Sequence, residues 1–250
     1  MIRLSVNVNK VATLRNSRGG RVPSVVEAVG VCVAAGAPGI TVHPRADRRH
    51  ITPEDVRDIS RALRGHAPGV EYNVEGDPRP ELLDLVEEVR PDQCTLVPVR
   101  PGEITSQAGW QPGPGTEQMP EVVSRLRAAG VRVSLFVDAV PEPVRWAASV
   151  GADRVELYTE PYARAFERGA EAGRRSFALY EIAARLAHSL GLGVNAGHDL
   201  DLANLVIFRE LPFFDEASIG HAIMSRALLV GLPTVVREYL DVLGSAAAHG

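Results

Sequence analysis

The segment AAGAPGITVH, residues 34–43, decides the fold predicted for this chain. A run of small residues reaches Gly36, and a short apolar run, Ile40 to Val42, follows soon after it. A glycine at a helix end adopts the left-handed conformation that closes the helix, and a β-branched run is typical of a buried parallel strand. The segment therefore predicts a helix that leads directly into a strand.

The same unit recurs in AAGVRVSLFVD (128–138), SVGADRVELY (149–158) and SLGLGVNAGH (189–198). Its repetition argues for βα repeats around a parallel sheet. The predicted strands are Leu4–Val8, Gly39–Val42, Val70–Val74, Gln93–Val97, Val131–Val137, Arg154–Tyr158, Gly193–Asn195 and Glu216–Ile219. The predicted helices are Val22–Ala35, Pro53–Arg64, Arg79–Val89, Glu121–Ala129, Glu142–Val150 and Leu202–Arg209, with further helices in 161–190 and 221–243.

This pattern over 250 residues has the size of a (β/α)8 barrel. We predict an α/β fold, a (β/α)8 TIM barrel forming a single domain over residues 1–250, with extra helices and a frayed tail at 244–250. Gly169 and Gly173 are expected to divide the long segment 161–190 into an extra helix and the sixth barrel helix. A doubly wound sheet is the alternative, but no GxGxxG follows the first strand, so a dinucleotide site is not expected.

The composition bounds the partners. A formal charge of −4 gives no overall attraction to nucleic acid or to a membrane surface. The two cysteines, Cys32 and Cys94, lie in apolar segments without CxxC spacing, as expected for reduced, buried thiols. The N-terminus MIRLSVNVNK predicts a strand rather than a signal peptide, and no apolar run approaches the roughly 18 residues of a membrane helix. We therefore expect a cytoplasmic protein without nucleic-acid or membrane partners, and no metal site.

A basic segment, ITVHPRADRRHIT (40–52), follows the second predicted strand. Guanidinium groups offer paired donors that suit phosphate or carboxylate, and a histidine exchanges a proton near neutral pH. The segment predicts part of a site for a phosphorylated substrate; a solvated basic loop is the alternative. Arg48 and Arg49 receive no role, and one of them is expected to pair with Asp47 or another acid.

Reactive groups of such barrels lie at the carboxyl ends of the strands and in the loops that follow. Some of these residues have a structural alternative. Asn7 and Asn9 could cap backbone groups, Glu75 could be a solvated acid in a loop, and Asp138 could be a local cap. Glu156, within a strand, is expected to point inward and to need an arginine or histidine partner. The candidates at this rim are Asn7, Asn9, Lys10, His43, Arg45, Glu75, Thr105, Asp138, Glu156, His198, Asp199, Gly220 and His221.

Two further features predict anion binding. Ser218-Ile219-Gly220-His221 places a glycine before free helix N–H groups, which form an anion cradle. The segment 13–20 is predicted to be a polar loop that closes over the barrel mouth and offers Arg15 or Arg18 to a second anion. The loop 98–120 is long enough for a lid.

Several longer stretches, in order from residue 4 to about 230, together resemble the pyridoxine 5′-phosphate synthase family. They are VNVNKVATLRNSRGG, ITVHPRADRRHIT, NVEGDP, LVP followed by EIT, VSLFVD, VELYTEPYA, VNAGHDL and SIGHAI. The resemblance implies a (β/α)8 barrel with extra helices, assembled as a homooctamer built from dimers. It also implies condensation of 1-deoxy-D-xylulose 5-phosphate with 3-amino-2-oxopropyl phosphate to pyridoxine 5′-phosphate, phosphate and water, without a metal or organic cofactor.

The resemblance also implies roles for individual residues. It gives His43, Glu75 and His198 acid–base roles, and we assign Glu75 and His43 as proton acceptors and His198 as a proton donor. The aminoketone phosphate would be held by Asn7, Arg18, Asp199, Gly220 and His221, and the deoxyxylulose phosphate by Arg45, His50 and Thr105. Many members have Asp-His where this chain has Asn9-Lys10, which would contact the sugar, and Gly in place of Asp199.

Imine formation, phosphate elimination, water addition and ring closure all move protons, which calls for several acids and bases rather than one strong nucleophile. Two other functions stay open from the residues alone. In one, Lys10 is the Schiff-base lysine of a sugar-phosphate aldolase, which requires a desolvated amine. In the other, the barrel binds a phosphorylated metabolite without catalysis.

Overall fold

A computed structural model describes residues 1–99 and 108–244. Its parallel strands form one closed barrel in the order β1 to β8, each paired with its neighbours in sequence and β8 paired with β1. The strands are β1 (Arg3–Asn7), β2 (Gly39–Val42), β3 (Glu71–Gly76), β4 (Gln93–Leu96), β5 (Arg132–Val137), β6 (Arg154–Tyr158), β7 (Gly193–Gly197) and β8 (Phe214–Ile219). The predicted (β/α)8 barrel is confirmed.

The helices surround this barrel. They are α1 (Asn9–Asn16), α2 (Val25–Ala34), α3 (Pro53–His66), α4 (Pro80–Val89), α5 (Met119–Ala128), α6 (Pro141–Ser149), α7 (Glu160–Glu167), α8 (Ala170–Ser189), α9 (Leu205–Phe208), α10 (His221–Val230) and α11 (Leu232–Gly244). No helix among the described residues is both long and apolar enough to cross a membrane.

The N-terminus of α3 carries a complete capping box. The Thr52 hydroxyl accepts the Asp55 N–H at 3.2 Å, and the Asp55 carboxylate accepts the Thr52 N–H at 2.9 Å. Pro53 occupies the first helical position, where its missing N–H costs nothing because that group has no intrahelical acceptor. This capping box fixes where the basic segment after β2 ends.

The prediction for residues 13–20 was wrong. The segment from Asn9 to Asn16 is helix α1, and only the residues after it form a turn. Lys-Val-Ala-Thr-Leu-Arg contains good helix formers, and the glycines at 19 and 20 obscured that local propensity. The consequence is that Arg15 lies on a helix and not on a loop over the mouth.

The prediction that Gly173 helps to divide the segment 161–190 was also wrong, because α8 begins after Gly169 and continues through residue 173 without a break. A Cβ at Gly173 would lie 2.9 Å from Phe166 Cδ2 and 3.2 Å from Phe166 Cα. The glycine therefore permits close contact between α8 and the end of α7. By contrast, Gly231 (φ 89°) does divide the C-terminal helical segment, into α10 and α11.

The interior of the barrel is polar, whereas branched apolar residues fill most barrels of this type. Across the middle of the barrel, the Ser5 and Thr41 hydroxyls lie 2.6 Å apart. Asn73 Nδ2 donates to Thr41 Oγ1 at 3.2 Å, and Thr95 Oγ1 donates to Asn73 Oδ1 at 3.1 Å. The apolar core lies instead between the outer faces of the strands and the helices, as with the fully buried Leu4 that flanks Ser5.

The amino-terminal end of the barrel, which we call the floor, is closed by a charged network. Arg132 pairs with Glu71 and donates from Nε to Gln93 Oε1 at 3.0 Å. Gln93 Nε2 and Asn195 Nδ2 lie 3.4 and 3.3 Å from Glu216 Oε1. Glu216 is only 1% exposed, so the floor places a carboxyl beneath the site described next.

Candidate active site

A cavity of about 490 Å³ opens at the carboxyl ends of the strands. Nearly all of the predicted site residues line it: Asn7, Asn9, Lys10, His43, Arg45, His50, Glu75, Glu156, His198, Asp199, Gly220 and His221. Arg18 does not line it and is exposed after α1, and Thr105 lies outside the described residues. Residues far apart in sequence therefore lie around one cavity, as the predicted position of the site at the carboxyl ends of the strands requires.

The two asparagines at the end of β1 hold backbone groups. Asn7 Oδ1 accepts the Asn9 N–H at 3.0 Å, and Asn9 Oδ1 accepts the His43 N–H at 2.9 Å. The capping alternative is thus the observed arrangement for both side chains. Asn9 ties the start of α1 to the segment after β2 and so positions His43.

His43 and Glu75 face each other, with His43 Nδ1 3.9 Å from Glu75 Oε2. Burial raises the pKa of Glu75 to about 8, against a hydrogen bond from Ser218 Oγ at 3.4 Å that lowers it. Burial lowers the pKa of His43 to about 3, with further contributions from the neighbouring His50 and from the positive charge of Arg45. Both groups are therefore largely neutral at pH 7, and Glu75 belongs to β3 rather than to a solvated loop.

Glu156 points into the barrel at 4% exposure, as predicted. The predicted arginine or histidine partner is absent among the described residues, since Oε2 has no hydrogen-bond partner there. Burial, with the neighbouring Glu75, raises the pKa of Glu156 well above its usual value, although the nearby Thr95 opposes the shift. The group is protonated at neutral pH, which removes the need for a cation.

Gly197 makes room for this carboxyl, because a Cβ there would overlap Glu156 Oε1 and lie 3.1 Å from Ser218 O. At this position the glycine serves close packing rather than backbone freedom. The end of β7 is thus fitted to the inward-pointing Glu156.

The basic segment after β2 holds its side chains through local contacts. His50 Nδ1 accepts the Ile51 N–H at 2.9 Å, so in the neutral ring Nε2 carries the proton. Burial is the main cause that lowers the pKa of His50 to about 4, and the positive charges of Arg45 and Lys10 contribute to the same shift. The expected pairing of a neighbouring arginine with Asp47 is confirmed for Arg49, whose Nε donates to Asp47 Oδ2 at 2.7 Å.

Two other arginines brace this segment without lining the cavity. Arg15 Nη2 donates to Asp55 Oδ2 at 2.8 Å and lies 3.4 Å from His50 O. Arg79 Nη2 donates to Pro44 O at 2.6 Å. Arg15 and Arg18 were the alternatives for a second anion, and for Arg15 the structure contradicts this role, since its guanidinium pairs with Asp55. Arg79 was not predicted, because a contact with a backbone oxygen distant in sequence leaves no local pattern.

The sequence SIGH forms the predicted helix start. Gly220 caps α10, and the first N–H groups of a helix have no intrahelical acceptors. A Cβ at Gly220 would lie 2.9 Å from Asn7 Cβ, so only glycine brings the helix N-terminus this close to β1. Ser218 and His221 also line the cavity there.

His198 and Asp199 follow β7 and both have left-handed backbones, with φ of 88° and 58°. His198 Nδ1 lies 3.1 Å from Asp199 Oδ2. The His198 ring packs edge-on against Tyr158 with centroids 5.2 Å apart, and 6.5 Å from Phe136. Phe136 and Val97 line the cavity and were not predicted as site residues. Phe136 and Val97 each lie two residues after an inward-facing residue, Ser134 and Thr95 respectively. Because side chains alternate along a strand, the sequence could have predicted that both point to the inside at the strand ends.

Lys10 and Asp138 do not have the environment of catalytic groups. Lys10 lines the cavity but is exposed on α1, so it lacks the desolvation that a Schiff-base lysine requires. Asp138 accepts hydrogen bonds from Gly109 N at 2.9 Å and Gln111 Nε2 at 2.6 Å, which is the local role. Within residues 1–99 and 108–244, no three His, Cys, Asp or Glu side chains are grouped to hold a metal ion.

Comparison with solved structures shows the same fold. Phosphoribosyl anthranilate isomerase from Thermus thermophilus matches with a TM-score of 0.60 and 18% identity, covering 98% of this chain and 99% of its own. A structure described as native KDPGal matches with a TM-score of 0.62 and 12% identity, over 97% and 95% of the two chains. At such identities the likeness concerns the barrel alone.

Comparison with curated proteins is more specific. Pyridoxine 5′-phosphate synthase of Bacteroides thetaiotaomicron is 52% identical over 97% of this chain and 100% of its own. The synthases of Porphyromonas gingivalis (49%; 97% and 99% covered) and Leptospira biflexa (48%; 97% and 97%) are similar. The family model of the pyridoxal phosphate biosynthesis protein PdxJ matches residues 4–245. The chain therefore belongs to the PdxJ family of pyridoxal phosphate biosynthesis proteins.

Proposed function

We propose that this protein is a pyridoxine 5′-phosphate synthase, acting in vitamin B6 biosynthesis. Its substrates are the pair implied by the resemblance, 1-deoxy-D-xylulose 5-phosphate and 3-amino-2-oxopropyl phosphate. The observation that carries the proposal is one cavity that contains neutral, buried acid–base groups and two sets of groups able to donate hydrogen bonds to a phosphate. The relatives named above, about half identical over the whole chain, carry this activity in their names.

The two phosphates would bind at different walls of the cavity. Arg45 and His50 on the basic segment suit the deoxyxylulose phosphate, because a guanidinium and an Nε2–H both donate to phosphate oxygens. The start of α10 at Gly220 and His221 suits the aminoketone phosphate, through free N–H groups and the helix dipole. Arg18 and Thr105 keep their proposed phosphate roles only by the resemblance.

Acid–base catalysis would begin from neutral groups. Glu75 is a proton acceptor once ionised, and a pKa of about 8 gives its carboxylate enough basicity to take a proton near neutral pH. His43, neutral and 3.9 Å away, is the second acceptor. His198 on the opposite side would donate a proton to the departing oxygen.

Substrate binding would also prepare His43. Part of the pKa depression at His43 comes from His50, Arg45 and Arg79. A phosphate dianion beside Arg45 offsets the positive charges of Arg45 and Arg79, so it strengthens His43 as a base. The site would therefore become an effective base only after the phosphorylated substrate has entered.

The test is product formation from the two substrates, measured as pyridoxine 5′-phosphate by its absorbance after chromatography. His198→Ala should leave substrate binding, measured by calorimetry, largely intact and lower turnover by roughly 10² to 10⁴. The exposed His66→Ala on α3 is the matched control and should keep wild-type turnover. Normal turnover in His198→Ala sinks the donor role, and no product from the wild type sinks the proposed function.

We also propose, from the resemblance, a cytoplasmic homooctamer built from dimers. Exposed apolar side chains on the outer helices support self-association: Leu179 and Ile182 on α8, Leu228 and Leu229 on α10. Sedimentation velocity would test it, since a monomeric protein at micromolar concentration contradicts the assembly.

A further inference from the structure

His198 and Asp199 form a strained pair that the surrounding structure holds in place. Two consecutive non-glycine residues have φ of 88° and 58°, a left-handed conformation that L-residues with a Cβ rarely adopt. The fully buried Thr159 hydroxyl lies 2.8 Å from Gly197 O and also contacts His198 O. Asn204 Nδ2, from a residue 3% exposed, donates to Asp199 O at 2.9 Å. Buried polar groups therefore fix the backbone on both sides of the pair.

This backbone brings the two side chains together. In an extended strand, neighbouring side chains point to opposite faces, so their functional groups do not meet. Here the left-handed turn places Asp199 Oδ2 3.1 Å from His198 Nδ1. Tyr158 packs edge-on to the ring at 5.2 Å and limits its rotation. The strain thus produces one specific contact between a carboxylate and a ring nitrogen.

The side chain of Asp199 does not suit contact with a phosphate, and the Gly that many family members have at this position could offer a phosphate only its backbone. The hydrogen bond from His198 holds the pKa of the Asp199 carboxyl below its usual range, so the group is ionised at neutral pH. An ionised carboxylate repels a phosphate and has no proton to donate to it. Asp199 needs a partner that donates, and His198 is that partner.

We propose that Asp199 is a positioning residue for His198: it holds the doubly protonated ring, the imidazolium, with Nδ1–H directed to Oδ2, so that the Nε2–H is the proton presented for transfer. The inference rests on the proposed function, because it concerns the donor of that reaction. In the donating step the Nε2–H bond breaks and the proton moves to the departing oxygen of the substrate. The ring is left neutral with its proton on Nδ1, and Asp199 stays a carboxylate.

Asp199→Asn tests the inference, because the amide keeps the size of the side chain but can donate to Nδ1. The first measurement is the tautomer of the neutral His198 ring from ¹⁵N–¹H spectra of the substrate-free protein, assigned with His198→Ala. Wild type should show Nδ1–H, and Asp199→Asn should shift the population to Nε2–H. A wild-type ring with Nε2–H, or an unchanged tautomer in the variant, overturns the inference.

The second measurement separates positioning from phosphate binding. Asp199→Asn should lower kcat by roughly 10-fold or more, with both KM values within about 2-fold, and Asp199→Glu should recover part of kcat because it keeps the carboxylate. A variant with changed KM and unchanged kcat points to a phosphate contact and overturns the inference. If the wild type forms no pyridoxine 5′-phosphate, the proposed function fails, while the spectra still decide whether Asp199 fixes the ring.

Discussion

Replacing Glu216 with glutamine should make the protein more stable at pH 8 and leave its stability nearly unchanged at pH 5. Glu216 is 1% exposed on the barrel floor, and burial, with Glu71 nearby, raises its pKa from 4.5 to about 8. Between these two pH values the folded protein keeps a proton that the unfolded chain has lost. Rising pH therefore favours unfolding over this window, and the wild type loses stability across it.

The magnitude follows from the same values. A pKa moved from 4.5 to about 8 corresponds to about 5 kcal/mol at about 1.4 kcal/mol per pKa unit, as an upper value. Relaxation and water entry around the ionised group reduce it, so a gain of about 2–4 kcal/mol at pH 8 is expected. At pH 5 the glutamine carbonyl accepts from Gln93 and Asn195 as the carboxyl oxygen does, and its amide donates toward Glu71. The substitution is then nearly isosteric.

Urea denaturation of both proteins from pH 5 to pH 8.5 measures the effect. The stability difference should grow with pH, and the exposed Glu121→Gln on α5 should show no such growth. In thermal scans a gain of this size raises Tm by about 4–16 °C. A difference that is the same at pH 5 and pH 8, or a wild type that is the more stable at pH 8, refutes a protonated carboxyl at the floor.

Two other substitutions test contacts on either side of the cavity. Gly197→Ala should displace the Glu156 carboxyl, destabilise the protein by about 1–3 kcal/mol in urea and lower turnover, because its Cβ overlaps Oε1; full activity would contradict the close fit. Arg15→Met should cost about 3 kcal/mol at pH 7 by leaving the buried Asp55 without its partner. Burial alone would raise the Asp55 pKa, but the Arg15 and Thr52 hydrogen bonds hold it low, so this deficit should shrink as falling pH protonates Asp55.

The barrel was predictable because its signal is local and repeated. Each helix-to-strand unit carries a glycine and a β-branched run, and β2 and β6 begin and end where the pattern places them. Predictions failed where the packing between two helices, rather than local sequence, determines the role of a residue. Gly173 resembles a helix break in sequence, yet it permits the contact with Phe166 that no local pattern encodes.

The site was predictable in its members and less so in their contacts. Strand-end positions identify Glu75 and His198 as rim residues, because closure of a parallel barrel brings those ends together. Sequence position does not reveal that Glu156 is buried without a cation, or that Arg15 turns to Asp55. Both depend on distances across the barrel or between helices, which the chain sets only once it is folded.

Burial gives the cavity its charge balance. It keeps His43 neutral and Glu75 and Glu156 protonated, since each would otherwise carry a desolvated charge. A guanidinium does not lose its proton under the same conditions, so Arg45 stays charged although its side chain is only 6% exposed. The substrate-free cavity therefore presents positive charge and helix N–H groups to phosphates, while neither Glu75 nor Glu156 adds a negative charge that would repel them. The same burial keeps Glu75 and Glu156 protonated inside the cavity, where the proposed condensation requires proton transfer.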